Sequence, residues 1–162
     1  MPLAGQFIVF KIEDENSATP IFRSYSLSGP SSTGAYRVSV KRQDGQGSQY
    51  FHDRLRPGDL LQVGAPRGSF TLTGSERPIV FLSAGIGATP VLSMLHALAG
   101  SARNPARDVW WCYGARNGRE HPFAKEVREA LANCGSGRSF IVYSHPDEPD
   151  RLERVNNFNS HL

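Results

Sequence analysis

Ile79-Val80-Phe81-Leu82-Ser83-Ala84-Gly85-Ile86-Gly87-Ala88-Thr89-Pro90-Val91-Leu92 is the stretch on which the reading of the chain turns. Its first four residues are a continuous apolar run, which predicts a strand buried on both faces, as in a parallel sheet. Gly85 and Gly87 then let the backbone approach a pyrophosphate closely. Thr89 is expected to cap a helix and Pro90 to take its first position. A helix start offers free amides and a partial positive charge to an anion. Val91, Leu92, Met94, Leu95 and Leu98 recur at helical spacing, and Gly100 ends the pattern. The usual dinucleotide fingerprint has Gly where Pro90 stands, so this is a variant. The alternative is a glycine turn that serves only tight strand–helix packing.

Downstream the pattern repeats. Asp108–Tyr113 reads as a strand, 122–132 as a helix with Phe123, Val127 and Leu131 on one face, and Ser139–Tyr143 as a third strand. Alternating strands and helices predict a parallel, Rossmann-like α/β sheet, and three strands make half of a doubly wound one. The acidic residue that usually binds ribose after the second strand is absent. Arg116 stands near that place, available to an extra phosphate or simply solvated.

Upstream the grammar differs. Residues 6–12, 22–28 and 36–42 read as strands, the last with clean alternation, and 60–63 and 69–72 as two shorter ones. Gly45-Gln46-Gly47-Ser48 leads into a short helix, with Ser48 expected as its cap. The overall expectation is a partial all-β antiparallel barrel followed by a partial α/β Rossmann-like parallel sheet. The boundary is placed between residues 74 and 75, giving domains 1–74 and 75–162.

Composition narrows the classes. Hydrophobic residues are 39% of the 162 and charged residues 20%, with nine Phe, five Tyr and two Trp, which is globular and not disordered. The net charge is +3, and fifteen of the eighteen Lys and Arg are Arg. No dense basic stripe occurs, so small phosphate ligands suit the chain better than nucleic acid. Cys112 and Cys134 make no disulfide framework and no metal-ligand spacing, and are expected as buried thiols. The absence of an uninterrupted 18-residue apolar run and of a leader pattern predicts a soluble, cytoplasmic protein without a membrane role. His52 and His96 are read as structural or solvated. The Trp110-Trp111 pair is read as core, and the charges from Asp147 to Arg154 as a solvated run.

Two further motifs bear on function. Arg23-Ser24-Tyr25-Ser26 on a strand would put 23 and 25 on one face and 24 and 26 on the other. Arg can pair with a phosphate, Tyr can pack on a planar ring and Ser can hydrogen-bond it; alone, the motif also fits a core Tyr beside a surface Arg. The Gly45–Ser48 turn is a second anion cradle or a plain turn.

In order, Arg-x-Tyr-Ser, a Val-Lys-Arg strand, Gly-x-Gly-Ser, Pro-x-Gly-x-Phe and Gly-x-Gly-x-Thr-Pro resemble the ferredoxin–NADP⁺ reductase superfamily. The chain is similar to the reductase modules of bacterial flavohaemoglobins and related multidomain electron-transfer proteins, from Gly5 to about Asp150. The resemblance implies a flavin, FAD with FMN as the alternative, held by the barrel. Arg23 would hold its phosphates, with Ser24 beside it. Tyr25 would pack on the isoalloxazine and Ser26 would sit by the hydride-accepting nitrogen, these two being the catalytic candidates. Val40 would lie on a strand beside the ring, Gly47 and Ser48 would bind the flavin phosphate, and Phe7 would take a flavin-contact position. Gly85, Ile86, Gly87, Ala88, Thr89 and Pro90 would hold NADH or NADPH. His145 follows Ser144 where NADP-preferring relatives often carry Arg, which leans the expectation to NADH.

The function so implied is an oxidoreductase module that passes hydride from NAD(P)H to FAD. Its electrons would go on to a haem, ferredoxin or iron–sulfur domain of the same parent polypeptide. Family members have two strands before the segment matching Gly5-Gln6-Phe7, and a Cys-Gly-Pro loop and terminal aromatic after the third parallel strand. This sequence has neither, so a piece truncated at both ends is expected. A reading of a different class follows from that: a flavin- and nucleotide-binding fragment with no turnover of its own.

Overall fold

The computed structural model describes residues 1–13, 19–30, 34–101 and 107–153. The predicted polar tail, 155–162, lies outside them. The chain divides into two compact units. One comprises Met1–Gly74 with Thr89–Ala97; the other comprises Ser75–Ala88 with the chain from Leu98 onward.

In the first unit, β1 (Phe7–Ile12) pairs antiparallel with β2 (Ile21–Ser26) on one side and with β3 (Gln62–Val63) on the other. The period-2 alternation of β1 puts Ile8, Phe10 and Ile12 on one face, and all three are buried. They form a core with Ile21 and Leu27, against which Tyr25, Val38, Tyr50, Phe51 and Leu61 pack. The sheet is antiparallel and barrel-like but not closed.

Two expected strands are not formed. Among the described residues, 36–42 form no ladder; their pairing is a bridge between Leu27 and Val38, beside a bond from the Ser28 amide to the Arg37 carbonyl. Side chains take up the backbone groups that a ladder would have used. His52 Nε2 bonds the Val40 carbonyl at 3.0 Å, Ser48 Oγ donates to the Lys41 carbonyl at 3.0 Å, and the Gln43 amide donates to Ser48 Oγ at 2.9 Å. Residues 69–72 are likewise no strand, because the Thr71 amide bonds the Ser69 carbonyl in a tight turn that an extended ladder excludes.

Between these segments α1 (Gln46–Gln49) widens directly into a π turn over Tyr50–Arg54, closed by the Leu55 amide on the Tyr50 carbonyl. The turn aims Phe51 inward, where it meets Phe10 and Tyr25 edge-on at 5.0 and 5.2 Å.

In the second unit, β4 (Ile79–Ala84), β5 (Asp108–Ala115) and β6 (Ser136–Tyr143) form a parallel sheet in sequence order. Phe81, Val109, Trp111 and Tyr113 lie on its buried face. The other face is open, contrary to the expected double burial of β4. Val80 is 62% and Leu82 79% exposed, and Phe140 and Val142 lie on the same face. Trp110 belongs there too, beneath the Arg138 guanidinium at 5.0 Å, so only Trp111 of the tryptophan pair is core.

A 3₁₀ turn over Gly85–Gly87 runs into α2 (Ala88–Ala99). The third helix, α3 (Ala124–Ala132), starts two residues later than expected, because its N-cap Phe123 adopts a left-handed φ of 63°. It packs on β6: a Cβ on Gly137 would collide with the Leu131 carbonyl. The short α4 (Glu148–Glu153) lies inside the supposed solvated charge run. Cys112 and Cys134 are free and half-buried. No helix among the described residues is long and apolar enough to cross a membrane.

Candidate functional site

Two sites emerge, one on the first unit's sheet and one at the glycine turn that ends the second unit's first strand. In the first, the register pairs Tyr25 with Ile8 and Arg23 with Phe10, so Tyr25 and Arg23 share the core-facing side of the strand pair. Arg23 lies at its margin, exposed, with its guanidinium on the Phe22 carbonyl at 2.9 Å. Tyr25 is half-buried, its ring edge-on to Phe10 and Phe51. Burial pushes its phenol pKa up, and the Arg23 charge offsets part of this.

Gly47 is the residue that lets these groups converge. A Cβ there would stand 2.8 Å from Arg23 Cγ and 3.0 Å from the Tyr25 hydroxyl oxygen. A bare backbone therefore runs directly under the Arg and the Tyr, and the start of α1 meets the aliphatic stem of Arg23 and the Tyr25 phenol. Ser48 is buried beside it, but it does not cap. The N-cap is Gly45, and Ser48 Oγ is occupied by Lys41 and Gln43. It ties the preceding loop to the cradle.

Ser24 and Ser26 face the other side, as the alternation requires. Ser26 lies opposite Phe7 in the register, and Ser24 opposite Val9. Phe7 exchanges backbone bonds with Arg67 at 3.0 Å each, and its ring covers Gly68, where a Cβ would meet ring carbons at 3.0 Å. Val40 lies outside the strand pair, on the side of Ile8 and Phe10. It sits on an irregular segment and lines an apolar cavity of about 510 Å³ with Ile8, Phe10, Phe51 and His52.

In the second unit, β4 ends at Ala84 and Gly85 turns the chain with φ +52°, a left-handed conformation that favours glycine. Hypothetical Cβ atoms on Gly85 and Gly87 would meet nothing within 4 Å, so the backbone of the turn faces open space. An anion cradle needs such a turn at a helix start, with no side chain crowding its glycines. Ile86 is exposed, while Ala88 and Thr89 are buried. Thr89 does not cap α2, because the 3₁₀ turn, with Ala84 as its N-cap, starts the helical path earlier. Pro90 is the third residue of α2, still in the first turn where no amide is required.

The loops that follow β5 and β6 are tied together at the same end of the sheet as this turn. The Ser144 amide donates to the Ala115 carbonyl and the His145 amide to the Arg116 carbonyl. Asp150 accepts from the Gly118 and Asp147 amides at 3.0 and 2.9 Å, and Arg119 pairs with Asp147 at 2.8 Å. Ligand crevices of open α/β sheets lie at these carboxyl ends. Arg116 leans toward Glu120 at 3.8 Å. Sequence reading missed Asp150, Tyr113, His121 and Tyr143 here. Only the position of Tyr113 near the end of an apolar strand signals any of them.

The donor sets fit the cofactors that such cradles serve. Arg23 with the bare backbone of Gly47 suits a phosphate beside an aromatic ring, and the open glycine turn suits a pyrophosphate.

Comparisons with known proteins agree. The oxidoreductase FAD-binding domain family matches residues 2–72 and the oxidoreductase NAD-binding domain family residues 81–157. A flavohemoprotein of Bacillus subtilis is 38% identical over 149 residues, 91% of this chain and 36% of that protein. The flavohem-like FAD/NAD-binding domain of a nitric oxide dioxygenase from Vibrio cholerae is 34% identical. It superposes with a TM-score of 0.82, covering 91% of this chain and 63% of that one. A flavohemoglobin from Malassezia yamatoensis with bound FAD and heme is 27% identical with a TM-score of 0.77, over 92% of this chain and 38% of that one. The chain thus spans little more than a third of the curated relatives it matches. It joins a segment of the oxidoreductase FAD-binding domain family to one of the oxidoreductase NAD-binding domain family.

Proposed function

We propose that this chain is a reductase module that takes hydride from NAD(P)H onto FAD and passes the electrons singly to a haem domain of the same polypeptide. The observation that carries the reading is the convergence of Arg23, Tyr25 and Gly47, in a chain that also holds an open glycine turn after a parallel strand. The haem partner is favoured by relatives named flavohemoprotein and by the structure with bound FAD and heme.

The chain's own residues divide the work. Arg23 holds the flavin phosphate with the amides at the start of α1, and Gly47 keeps that approach clear. Tyr25 backs the flavin ring; the role of Ser26 and of Phe7 opposite it, on the other side of the strand pair, rests on the family resemblance. Val40 shapes the apolar wall of the barrel. The amides from Gly85 to Thr89 receive the dinucleotide. The flavin, when bound, supplies the step from two-electron to one-electron transfer. NADH is the favoured donor, since Arg116 is drawn toward Glu120 and His145 bonds Ser144, which leaves neither arranged for an extra phosphate. Residues 1–74 and 75–162 form the flavin and nucleotide domains, and a cytoplasmic location follows from dependence on the NAD(P)H pool.

A second reading, binding without turnover, is favoured by the open apolar face of the parallel sheet. FAD-dependent reduction of ferricyanide by NADH separates the two. Turnover supports the reductase. Retained FAD and bound NADH without turnover support the second reading.

A further inference from the structure

Tyr113 closes the buried aromatic row Phe81–Trp111–Tyr113 on the covered face of the parallel sheet. Its hydroxyl does not stay within the row. It donates to the Gly85 carbonyl at 3.1 Å, on the residue whose φ of +52° makes the glycine turn. The ring is itself held. It stacks on His121 with centroids 4.9 Å apart and planes 21° from parallel. His121 Nδ1 shares a hydrogen bond of 2.8 Å with the Tyr143 hydroxyl. The loop that carries His121 is anchored by the Gly118 amide on Asp150 and by the Arg119–Asp147 pair.

We propose that Tyr113 is a positioning residue for dinucleotide binding, acting through the Gly85 carbonyl, and that His121 and Tyr143 set its ring. The Gly85 carbonyl also accepts the Ala88 amide within the 3₁₀ turn, and the Tyr113 hydroxyl adds a hold from outside a turn whose two glycines both face open space. Fixing the carbonyl of Gly85 fixes the peptide plane that leads into Ile86, and so the aim of the amides that follow. Preorganised donors lose less freedom when an anion binds. The consequence is expected for the dinucleotide, since Tyr113 and Gly85 share one unit and Arg23, Tyr25 and Gly47 belong to the other. The inference rests on the reductase reading.

The test is Tyr113→Phe, which keeps the ring and its stack and removes only the hydroxyl. NADH is titrated by energy transfer from protein tryptophan, and FAD by quenching of its own fluorescence. One lost hydrogen bond predicts NADH bound about 3- to 10-fold more weakly, with FAD affinity unchanged. The KM for NADH rises by more than kcat falls. Tyr143→Phe, one step removed, weakens NADH by about half that factor. Amide resonances of Gly85–Gly87 shift in the ligand-free Tyr113→Phe variant and respond less to Tyr143→Phe. Equal NADH affinity in wild type and Tyr113→Phe overturns the inference, as does an equal loss of FAD or unshifted Gly85–Gly87 resonances. Failure of the wild-type chain to bind NADH overturns the reductase reading instead, and the amide shifts still decide the inference.

Discussion

Replacing Gly47 by alanine tests the flavin cradle at its narrowest point. The added Cβ would stand 2.8 Å from Arg23 Cγ and 3.0 Å from the Tyr25 hydroxyl oxygen, so one of the two must yield. Tyr25 is wedged edge-on between Phe10 and Phe51, while Arg23 is exposed, its guanidinium on the neighbouring Phe22 carbonyl. Arg23 therefore swings away, and the fold loses little, about 1 kcal/mol or less. The flavin phosphate loses a charge-assisted bond of about 1.5–3 kcal/mol, which weakens FAD by roughly 10- to 100-fold. The assay pairs an FAD fluorescence titration with a thermal melt. Gly74→Ala is the control, since its Cβ would meet nothing within 4 Å. FAD affinity in Gly47→Ala within about twofold of the control, at matched stability, would refute the reasoning.

Ser48→Ala removes the Oγ that joins Lys41 and Gln43 in a buried setting, and costs about 1–3 kcal/mol, read as a lower urea midpoint with an unchanged slope. Burial, aided by the Arg128 charge, holds the His121 imidazole below its ordinary pKa of 6.5, so the unfolded chain takes up this proton first. His121 thus lends no penalty above pH 6.5, and stability falls as pH drops from there through the lowered value. Urea midpoints on either side should show a steeper acid loss in wild type than in His121→Gln. Leu82→Gln, on the open face with Val80, Phe140 and Val142, should lower self-association and binding of an apolar dye while leaving stability within about 0.5 kcal/mol.

The strand–turn–helix at 79–99 was readable because three local signals agree there: an apolar run, two glycines and a helical stripe. β1 was readable as an apolar, β-favouring run, although the alternating burial from Phe7 to Ile12 is not announced by that run. Residues 36–42 alternate just as cleanly yet form one bridge, because Ser48 and His52 satisfy their backbone from a distance in sequence that no local pattern reveals. The double burial expected of β4 fails for a similar reason. An apolar strand announces what it can bury, not which of its two faces is covered. At the sites, spacing placed Arg23, Tyr25 and the glycines. It could not show that Gly47 lies under Arg23, that Val40 turns into a cavity, or that Thr89 and Ser48 are displaced from their caps. Asp150 was hidden in a mixed charge run, since a carboxylate that accepts two loop amides looks the same in sequence as a solvated one.

The central claim is that both cradles work on one chain. Its most direct measurement is the visible spectrum of the FAD-loaded, desalted protein before and after anaerobic addition of NADH. The account predicts a flavin band that survives desalting and bleaches on NADH. A band that survives desalting but does not change with NADH would contradict it.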